Sequence, residues 1–359
     1  LSLDPERSAM MDWRCDTVLE GMPDASLPVV LTESPRVVVT GCAGFIGSHL
    51  CEALLALGCE VTGIDCVTDY YDTSLKRENL ATFCDHPRMT FLERDINDVD
   101  AVELLAGARA VFHLAAQAGV RASWGGQFGD YLDRNVQATQ RLLEACKDPS
   151  VAEGLVRFVY SSSSSIYGDR TDLPVSEAAL PQPFSPYGVT KLAAEHLCVL
   201  YGANFGVPTS SLRYFTVYGP RQRPDMAFRK FLEAALDGKP WLIYGDGSQT
   251  RDFTFVADAV RANLLAVGAP HPWAVYNVGG GACITLTEAL EMMRDYLGEE
   301  APDLVPTIDY QNRVEGDVRD TWADPSHIHD ELGYKAAVPF AEGLRREVAW
   351  VVARRRARG

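Results

Sequence analysis

The stretch of sequence that decides the fold is Thr40-Gly41-Cys42-Ala43-Gly44-Phe45-Ile46-Gly47. It follows a β-rich run at residues 36–40 and opens a segment in which apolar residues recur at helical spacing. Glycines let the backbone approach a phosphate closely, and a helix N-terminus offers N–H donors and partial positive charge. The stretch therefore predicts a dinucleotide-binding strand, turn and helix.

A carboxylate ends the next β-rich run, residues 60–65. Asp65 stands about 20 residues beyond the glycines, where a carboxylate accepts hydrogen bonds from ribose hydroxyls and repels a 2′-phosphate. We therefore expect NAD rather than NADP. The residues that these two motifs assign to the cofactor are Gly41, Gly44, Phe45, Ile46, Gly47 and Asp65.

Strand and helix patterns alternate through the first half of the chain. β-rich runs at residues 89–93, 110–114, 156–161 and 210–215 are separated by helical segments at 98–105, 133–146 and 189–204. This alternation predicts an α/β fold with a Rossmann-type, doubly wound parallel sheet.

Beyond Gly219 the pattern loosens into Pro- and Gly-rich connections, which indicates a smaller C-terminal substrate-binding lobe. The expected domains are a flexible arm at 1–34, an NAD-binding domain at 35–215, a lobe at 216–345 and a basic tail at 346–359. The chain is expected to return to the NAD-binding domain near residues 253–277.

Composition excludes several classes of protein. The 359 residues carry a net charge of −16, which disfavours nucleic acid as a partner. Nine scattered cysteines without a Cys-x-x-Cys pair favour a reducing cytoplasm and no structural metal, and we expect no membrane span. The basic cluster at residues 354–356 is expected to be solvated, as are His327 and His329 on a surface turn.

Tyr187 and Lys191 lie four residues apart at the start of a predicted helix, so both side chains fall on one face. Alone, such a pair is a weak signal, because chance pairs at this spacing are common surface contacts. The glycine motif upstream and the serine run at residues 161–165 give the pair more weight.

Further stretches carry a family resemblance. They are Asp95-Ile96, His113-Leu114-Ala115-Ala116-Gln117, residues 135–139, 213–221 and 250–253. With the motifs above they resemble the extended short-chain dehydrogenases, the epimerase and dehydratase group, from Arg36 to about residue 345. The resemblance implies further contacts with the cofactor. They are Asp95, Ile96, Leu114, Ala115, Ala116, Gln117, Asn135, Tyr187 and Lys191.

The resemblance also implies the chemistry. Tyr187, as a phenolate, would take the proton of a sugar C4 hydroxyl while hydride passes from C4 to NAD. Lys191 would lower the pKa of the phenol, and Ser163 would hydrogen-bond the C4 oxygen. A 4-keto sugar that turns over and takes the hydride back on its other face emerges as the 4-epimer.

The positions after Ser163 discriminate among family members. Dehydratases carry Asp and Glu there and UDP-glucuronate decarboxylases keep the Glu, whereas this chain has Ser164 and Ser165. Thr216 and the run at residues 223–226 are similar to the UDP-glucuronate 4-epimerases. We therefore expect interconversion of UDP-glucuronate and UDP-galacturonate. The hydroxyls of Ser164, Ser165 and Thr216 are expected to lie near the C6 carboxylate of the sugar.

The remaining expectations concern the substrate and partners. The resemblance implies that Arg223, Arg251 and Asp317 contact the UDP-sugar, and that paired helices form a homodimer. UDP-glucose, UDP-N-acetylglucosamine, decarboxylation and a non-catalytic dinucleotide sensor stay open as alternatives. The hydroxyls of Ser164, Ser165 and Thr216 could equally cap strands or bind a C6 hydroxyl.

Overall fold

The computed structural model describes residues 27–312 and 318–358, and within them a seven-stranded parallel sheet organises the molecule. The strand order is β10-β6-β5-β4-β1-β2-β3. Its strands are β1 Arg36–Thr40, β2 Glu60–Ile64, β3 Met89–Leu92, β4 Ala110–His113, β5 Arg157–Ser163, β6 Thr209–Tyr214 and β10 Trp273–Val278. The predicted Rossmann-type fold class is confirmed.

The central strands are apolar because both faces of the sheet are covered by helices. β1 reads Val37-Val38-Val39 and β4 reads Ala110-Val111-Phe112, and all six side chains are fully buried. Continuous β-branched and aromatic runs are typical of parallel strands in this position. Because the strands are parallel, the residues that follow their carboxyl ends all lie at the same edge of the sheet.

The helices alternate with the strands through the first half of the chain and cluster in the second. They are α1 Val29–Thr32, α2 Phe45–Ala56, α3 Thr73–Leu80, α4 Ala101–Leu105, α5 Phe128–Tyr131, α6 Ala138–Ala145, α7 Pro149–Ala152, α8 Pro186–Phe205, α9 Ala227–Leu236, α10 Val256–Ala266, α11 Leu286–Glu300, α12 Ser326–Leu332 and α13 Phe340–Ala357. A π-helical segment, Leu132–Gln137, joins α5 to α6.

The second half adds two small sheets beside the large one. β7 Thr216–Tyr218, β9 Thr250–Phe255 and β11 Cys283–Thr285 form one, while β8 Trp241–Tyr244 and β12 Ile308–Gln311 form the other. β10 then returns to the large sheet and pairs with β6. The lobe is thus inserted between two neighbouring strands of the large sheet.

Three local expectations differ from the structure. Part of the predicted arm forms α1, because Leu31 is fully buried in the main core. The predicted basic tail belongs to α13, where Arg354 is buried and pairs with Glu78, whereas Arg355 and Arg356 are exposed as expected. His327 lies in α12, within reach of the Glu331 carboxylate, and not in a turn.

One apolar cluster runs through both halves of the described chain, from Leu31 to Val352. In the part of the chain that the structure describes, no helix has the length and hydropathy to cross a membrane. The same residues contain no group of three side chains arranged to hold a metal ion.

Candidate active site

The glycine-rich turn forms a close backbone cradle at the carboxyl end of β1. Gly41 has φ +70°, and a Cβ there would lie 2.7 Å from the backbone nitrogen of Ala115. A Cβ on Gly47 would collide with the carbonyl oxygen of Gly41. The cradle therefore requires glycine at both positions, and the first residues of α2 line the cleft beside it.

Asp65 directly follows β2 and faces this cradle. Its carboxylate accepts hydrogen bonds from the backbone N–H groups of Ala43 at 3.2 Å and Val67 at 2.8 Å. The Lys76 ammonium lies 3.4 Å from the same carboxylate. Asp65 is thus held beside the turn. Its negative charge is paired with Lys76, which the sequence motifs did not indicate.

A single cleft collects the residues assigned to the cofactor. Its lining contains every one of them except Asn135. Asn135 lies behind the cleft wall, where its amide oxygen accepts from the Gln117 N–H at 2.7 Å and its amide nitrogen donates to Thr190 Oγ1 at 3.0 Å. Asn135 therefore supports the loop after β4 instead of lining the cleft.

Tyr187 enters the cleft from the first turn of α8. Ser185 caps this helix by accepting from the Gly188 N–H at 3.1 Å, and Pro186 occupies the first helical position. The Ser163 side chain lies near enough to the Tyr187 phenol to lower its pKa, and the Tyr187 ring meets the ring of Tyr131 edge-on, with 6.4 Å between the ring centres. The cap thus places the phenol beside the end of β5.

The charges around Tyr187 act in opposite directions. Burial raises the pKa of the phenol, whereas the Arg223 guanidinium and the hydrogen bond with Ser163 lower it. Arg223 donates to both carboxylate oxygens of Asp225 at 2.9 Å, which partly neutralises it. The resemblance implied that Lys191 lowers the pKa of the phenol, and that role of Lys191 stays a prediction; the cation that lowers it in the structure is Arg223.

Lys191 is buried one turn after Tyr187 on α8. Its Nζ lies 4.6 Å from the centre of the Tyr160 ring. Burial lowers the pKa of Lys191 to about 7, although the charge of Glu195 acts in the opposite direction. Burial thus favours the neutral form of this amine, and Glu195 favours the charged form.

The serine run ends β5 at the edge of the cleft. Ser161 and Ser162 line it, and Ser163 Oγ accepts from the Ser165 N–H at 3.1 Å as the strand turns into a 3₁₀ segment. Ser164 and Ser165 are half-buried in that segment. Ser161 and Ser162 thus contribute to the cleft lining, although the Ser162 hydroxyl donates to the buried Glu195, and Ser164 and Ser165 lie beyond Ser163.

The other residues predicted to contact the substrate are dispersed. Arg223 lines the cleft, whereas Thr216 is half-buried in β7 and Arg251 donates to the carbonyl oxygens of Val318 and Arg319 at 2.7 Å each. Asp317 lies outside the described residues. The substrate assignments of these residues stay predictions.

Several lining residues were not predicted from the sequence. They are Ile64, Cys66, Thr68, Tyr70, Tyr71, Lys76, Arg94, Ala118, Arg134, Ala138, Ser161, Ser162 and Tyr214. Cys66, Thr68, Tyr70 and Tyr71 belong to the loop after β2, and the position of that loop at the strand's carboxyl end was the available signal. Arg134 comes from the π-helical segment, which no spacing rule predicts.

The fold and the site together define a protein of the extended short-chain dehydrogenase class. Residues 38–347 match the family model for GDP-mannose 4,6-dehydratase, and the chain belongs to this family.

Two similar proteins within this family are named as epimerases of UDP-sugars. The chain is 42% identical over 318 residues to an uncharacterised UDP-glucose epimerase of Bacillus subtilis, covering 88% of this chain and 98% of the relative. It is 37% identical over 317 residues to a UDP-glucuronate 4-epimerase of Thermodesulfobacterium geofontis, covering 87% and 95%.

A solved structure resembles the whole described fold. The UDP-glucuronic acid 4-epimerase of Bacillus cereus, crystallised with UDP-glucuronic acid and NAD, superposes with a TM-score of 0.82 at 42% identity. The match covers 88% of this chain and 98% of that one.

Proposed function

We propose that the protein is an NAD-dependent 4-epimerase that interconverts UDP-glucuronate and UDP-galacturonate. The observation that carries this proposal is that Tyr187 and Lys191 line the same cleft as the glycine cradle and Asp65, while the Ser163 side chain acts on the Tyr187 phenol. A phenol, a hydroxyl and an amine that meet beside a dinucleotide cradle are suited to moving a proton on a sugar hydroxyl.

The cleft residues fit NAD. Gly41 and Gly47 leave space that a Cβ would fill, so a pyrophosphate could approach the backbone there. Asp65 offers acceptor oxygens for ribose hydroxyls, and Ile96 adds an apolar side chain to the lining. Bound NAD would supply a hydride acceptor that returns the hydride within the same cycle.

The side chains then divide the proton chemistry. Ser163 holds the C4 oxygen of the sugar and orients its proton toward the Tyr187 oxygen. Tyr187 accepts this proton as a phenolate, which the positive charges of Lys191 and Arg223 stabilise. The proton returns by the same route when the 4-keto sugar is reduced on its other face.

The serines after Ser163 support epimerisation over the family's other outcomes. Elimination of water across C5 and C6 needs an acid and a base, and the hydroxyls of Ser164 and Ser165 provide neither at neutral pH. With Thr216 they offer donors for the C6 carboxylate without a full counter-charge. Holding that carboxylate out of alignment with the keto group would suppress loss of carbon dioxide.

Proton NMR of the sugar products tests the proposal. The purified protein is incubated with UDP-glucuronate and no added NAD, and separately with UDP-glucose and UDP-N-acetylglucosamine. A UDP-galacturonate signal that grows to equilibrium supports the proposal. Formation of a decarboxylated pentose contradicts it. Turnover of only the neutral sugars contradicts the proposed carboxylate site, and bound NAD without turnover favours a dinucleotide sensor.

We also propose a cytoplasmic homodimer. One face of α8 is buried in the protomer, while residues 189, 193, 196, 200 and 203 recur every three or four positions along its other face. Val189 is 49% exposed and Leu200 is 53% exposed. This exposed stripe is apolar except for His196, and on a helix that packs beside α6 it fits a second copy of the same surface.

Analytical ultracentrifugation tests the homodimer. We expect Leu200→Glu to yield monomers, because it places a charge on the largest exposed apolar contact of the stripe. The control is Leu242→Glu, at a position on β8 that is 45% exposed and far from the stripe in the fold. A monomeric parent protein at micromolar concentration would contradict the proposal.

A further inference from the structure

A buried ion pair lies directly behind the catalytic residues. Glu195 on α8 and Arg213 on β6 are 3% and 5% exposed. Arg213 Nη2 donates to Glu195 Oε1 at 2.7 Å, and its Nε donates to Oε2 at 3.0 Å. Such a pair is costly to bury, and its geometry must be good for it to persist.

The pair is tied to the strand that ends in Ser163. Ser162 Oγ donates to Glu195 Oε2 at 2.6 Å, and Ser162 is paired in register with Arg213 across β5 and β6. On the other side, Arg213 Nη1 donates to the Tyr167 hydroxyl at 2.6 Å. The 3₁₀ turn that follows Ser163 is thus anchored at both of its ends.

Glu195 is also one helical turn beyond Lys191, and its charge acts on the Lys191 amine. The other groups that face this amine come from three elements. Tyr160 on β5 lies beneath it, Tyr187 and Cys198 share its helix, and His113 on β4 is neutral because burial lowers its pKa to about 3. Glu195 is the carboxylate among these groups.

We propose that Glu195, held by Arg213, is a positioning residue that fixes the strand end bearing Ser163 and keeps the Lys191 amine protonated for the reaction. The inference rests on the proposed epimerase activity and extends it to two residues that touch neither sugar nor cofactor. A single carboxylate thereby links the hydroxyl and the ammonium on which the Tyr187 phenolate depends.

Two variants separate the two roles. Glu195→Gln keeps an acceptor for Ser162 but removes the charge. We expect the alkaline limb of the kcat profile to move to lower pH by about one unit. As a result kcat falls at alkaline pH, while KM changes little. Ser162→Ala removes the hydrogen bond and keeps the charge, so it should lower kcat at every pH without moving the limb.

A second measurement does not depend on turnover. Lys191 binds its proton less tightly in the folded than in the unfolded protein, so it makes stability rise with pH above the folded pKa. The free energy of unfolding of the parent protein minus that of Lys191→Met isolates this rise. In the Glu195→Gln background the rise should begin at lower pH.

The outcomes are distinguishable. No turnover of any UDP-sugar by the parent protein contradicts the proposed function, while the unfolding comparison still tests the link between Glu195 and Lys191. An active parent with an unmoved alkaline limb in Glu195→Gln overturns the inference. Glu299→Gln, an exposed change on α11, should behave as the parent does.

If Glu195→Gln does not fold because Arg213 is left unpaired, Glu195→Gln/Arg213→Gln replaces it. This double variant buries no unpaired charge and carries the same expectation for both measurements.

Discussion

At the scale of single residues, Tyr187 has the most direct chemical role. Removing its hydroxyl in Tyr187→Phe leaves the ring against Tyr131 but deletes the proton acceptor beside Ser163. We expect kcat to fall by about 10²- to 10⁴-fold with little change in KM, measured by NMR of the UDP-sugar products.

Tyr201→Phe is a matched control on the same helix. Its hydroxyl contacts Glu144, away from the cleft lining, and its loss should leave kcat unchanged. Equal loss in both variants would indicate that α8 had been disturbed and that Tyr187 holds no special chemical role.

Glu347 gives stability a pH dependence. The side chain is fully buried on α13 and accepts from the Gly219 N–H at 2.9 Å; burial raises its pKa from 4.5 to about 8. Between these values the folded protein binds a proton that the unfolded chain releases. Stability should therefore fall as pH rises through this window, by up to about 1.4 kcal/mol per pH unit.

Glu347→Gln cannot titrate, so chemical denaturation across the same window should show a flatter dependence of the free energy of unfolding on pH. The exposed change Glu291→Gln on α11 should keep the parent slope. Parallel slopes for all three proteins would show that Glu347 is ionised in the folded state.

The sequence predicted residues whose spacing is fixed by local geometry. Gly41, Gly47 and the pair Tyr187 and Lys191 follow from rules that hold within one turn or one helix. Lys76 and Glu195 were not predicted, because their partners lie 11 and 18 residues away and meet them through tertiary packing.

At the scale of elements, the contact between α2 and the turn before it is the tightest in the cofactor cradle. In Gly47→Ala the added Cβ would meet the Gly41 carbonyl oxygen, so the turn must shift. We expect the NAD affinity to fall by about tenfold or more, equal to ~1.4 kcal/mol, measured by equilibrium dialysis.

Gly298→Ala is the corresponding change at an open helical site. A Cβ at Gly298 on α11 meets nothing within 4 Å. Here alanine should raise the free energy of unfolding by about 0.5–1 kcal/mol and leave NAD affinity unchanged. Retention of full affinity in Gly47→Ala would contradict the cradle.

Elements with strong periodicity were predicted to within a few residues. β1 coincides with its predicted run, and α8 begins three residues before the predicted start at 189 because Ser185 and Pro186 supply the cap. α13 was predicted as a tail because its last turn is rich in arginine. The stems of such residues can cover apolar surface, so charge alone did not reveal burial.

At the scale of the whole molecule, α13 closes the common core. Val348, Val351 and Val352 are at most 2% exposed and belong to the cluster that runs through both halves. Ending the chain after residue 345 would remove about 1.5–3 kcal/mol of burial for each, a sum comparable to the stability of a typical domain. We expect this truncated protein to be unfolded by circular dichroism.

Arg355→Ala tests whether that effect comes from the apolar face of the helix. Arg355 is half-exposed and pairs with Asp237 at 2.6 Å, so its loss should change the free energy of unfolding by less than about 0.5 kcal/mol. A folded truncated protein would show that the core does not need α13.

The insertion of the lobe between β6 and β10 has a consequence for synthesis on the ribosome. β6 is complete at Tyr214, but its outer partner begins only at Trp273. While the intervening residues are made, the nascent sheet presents an unpaired edge, which is a template for aggregation. We therefore expect a ribosomal pause within this interval to favour misassembly.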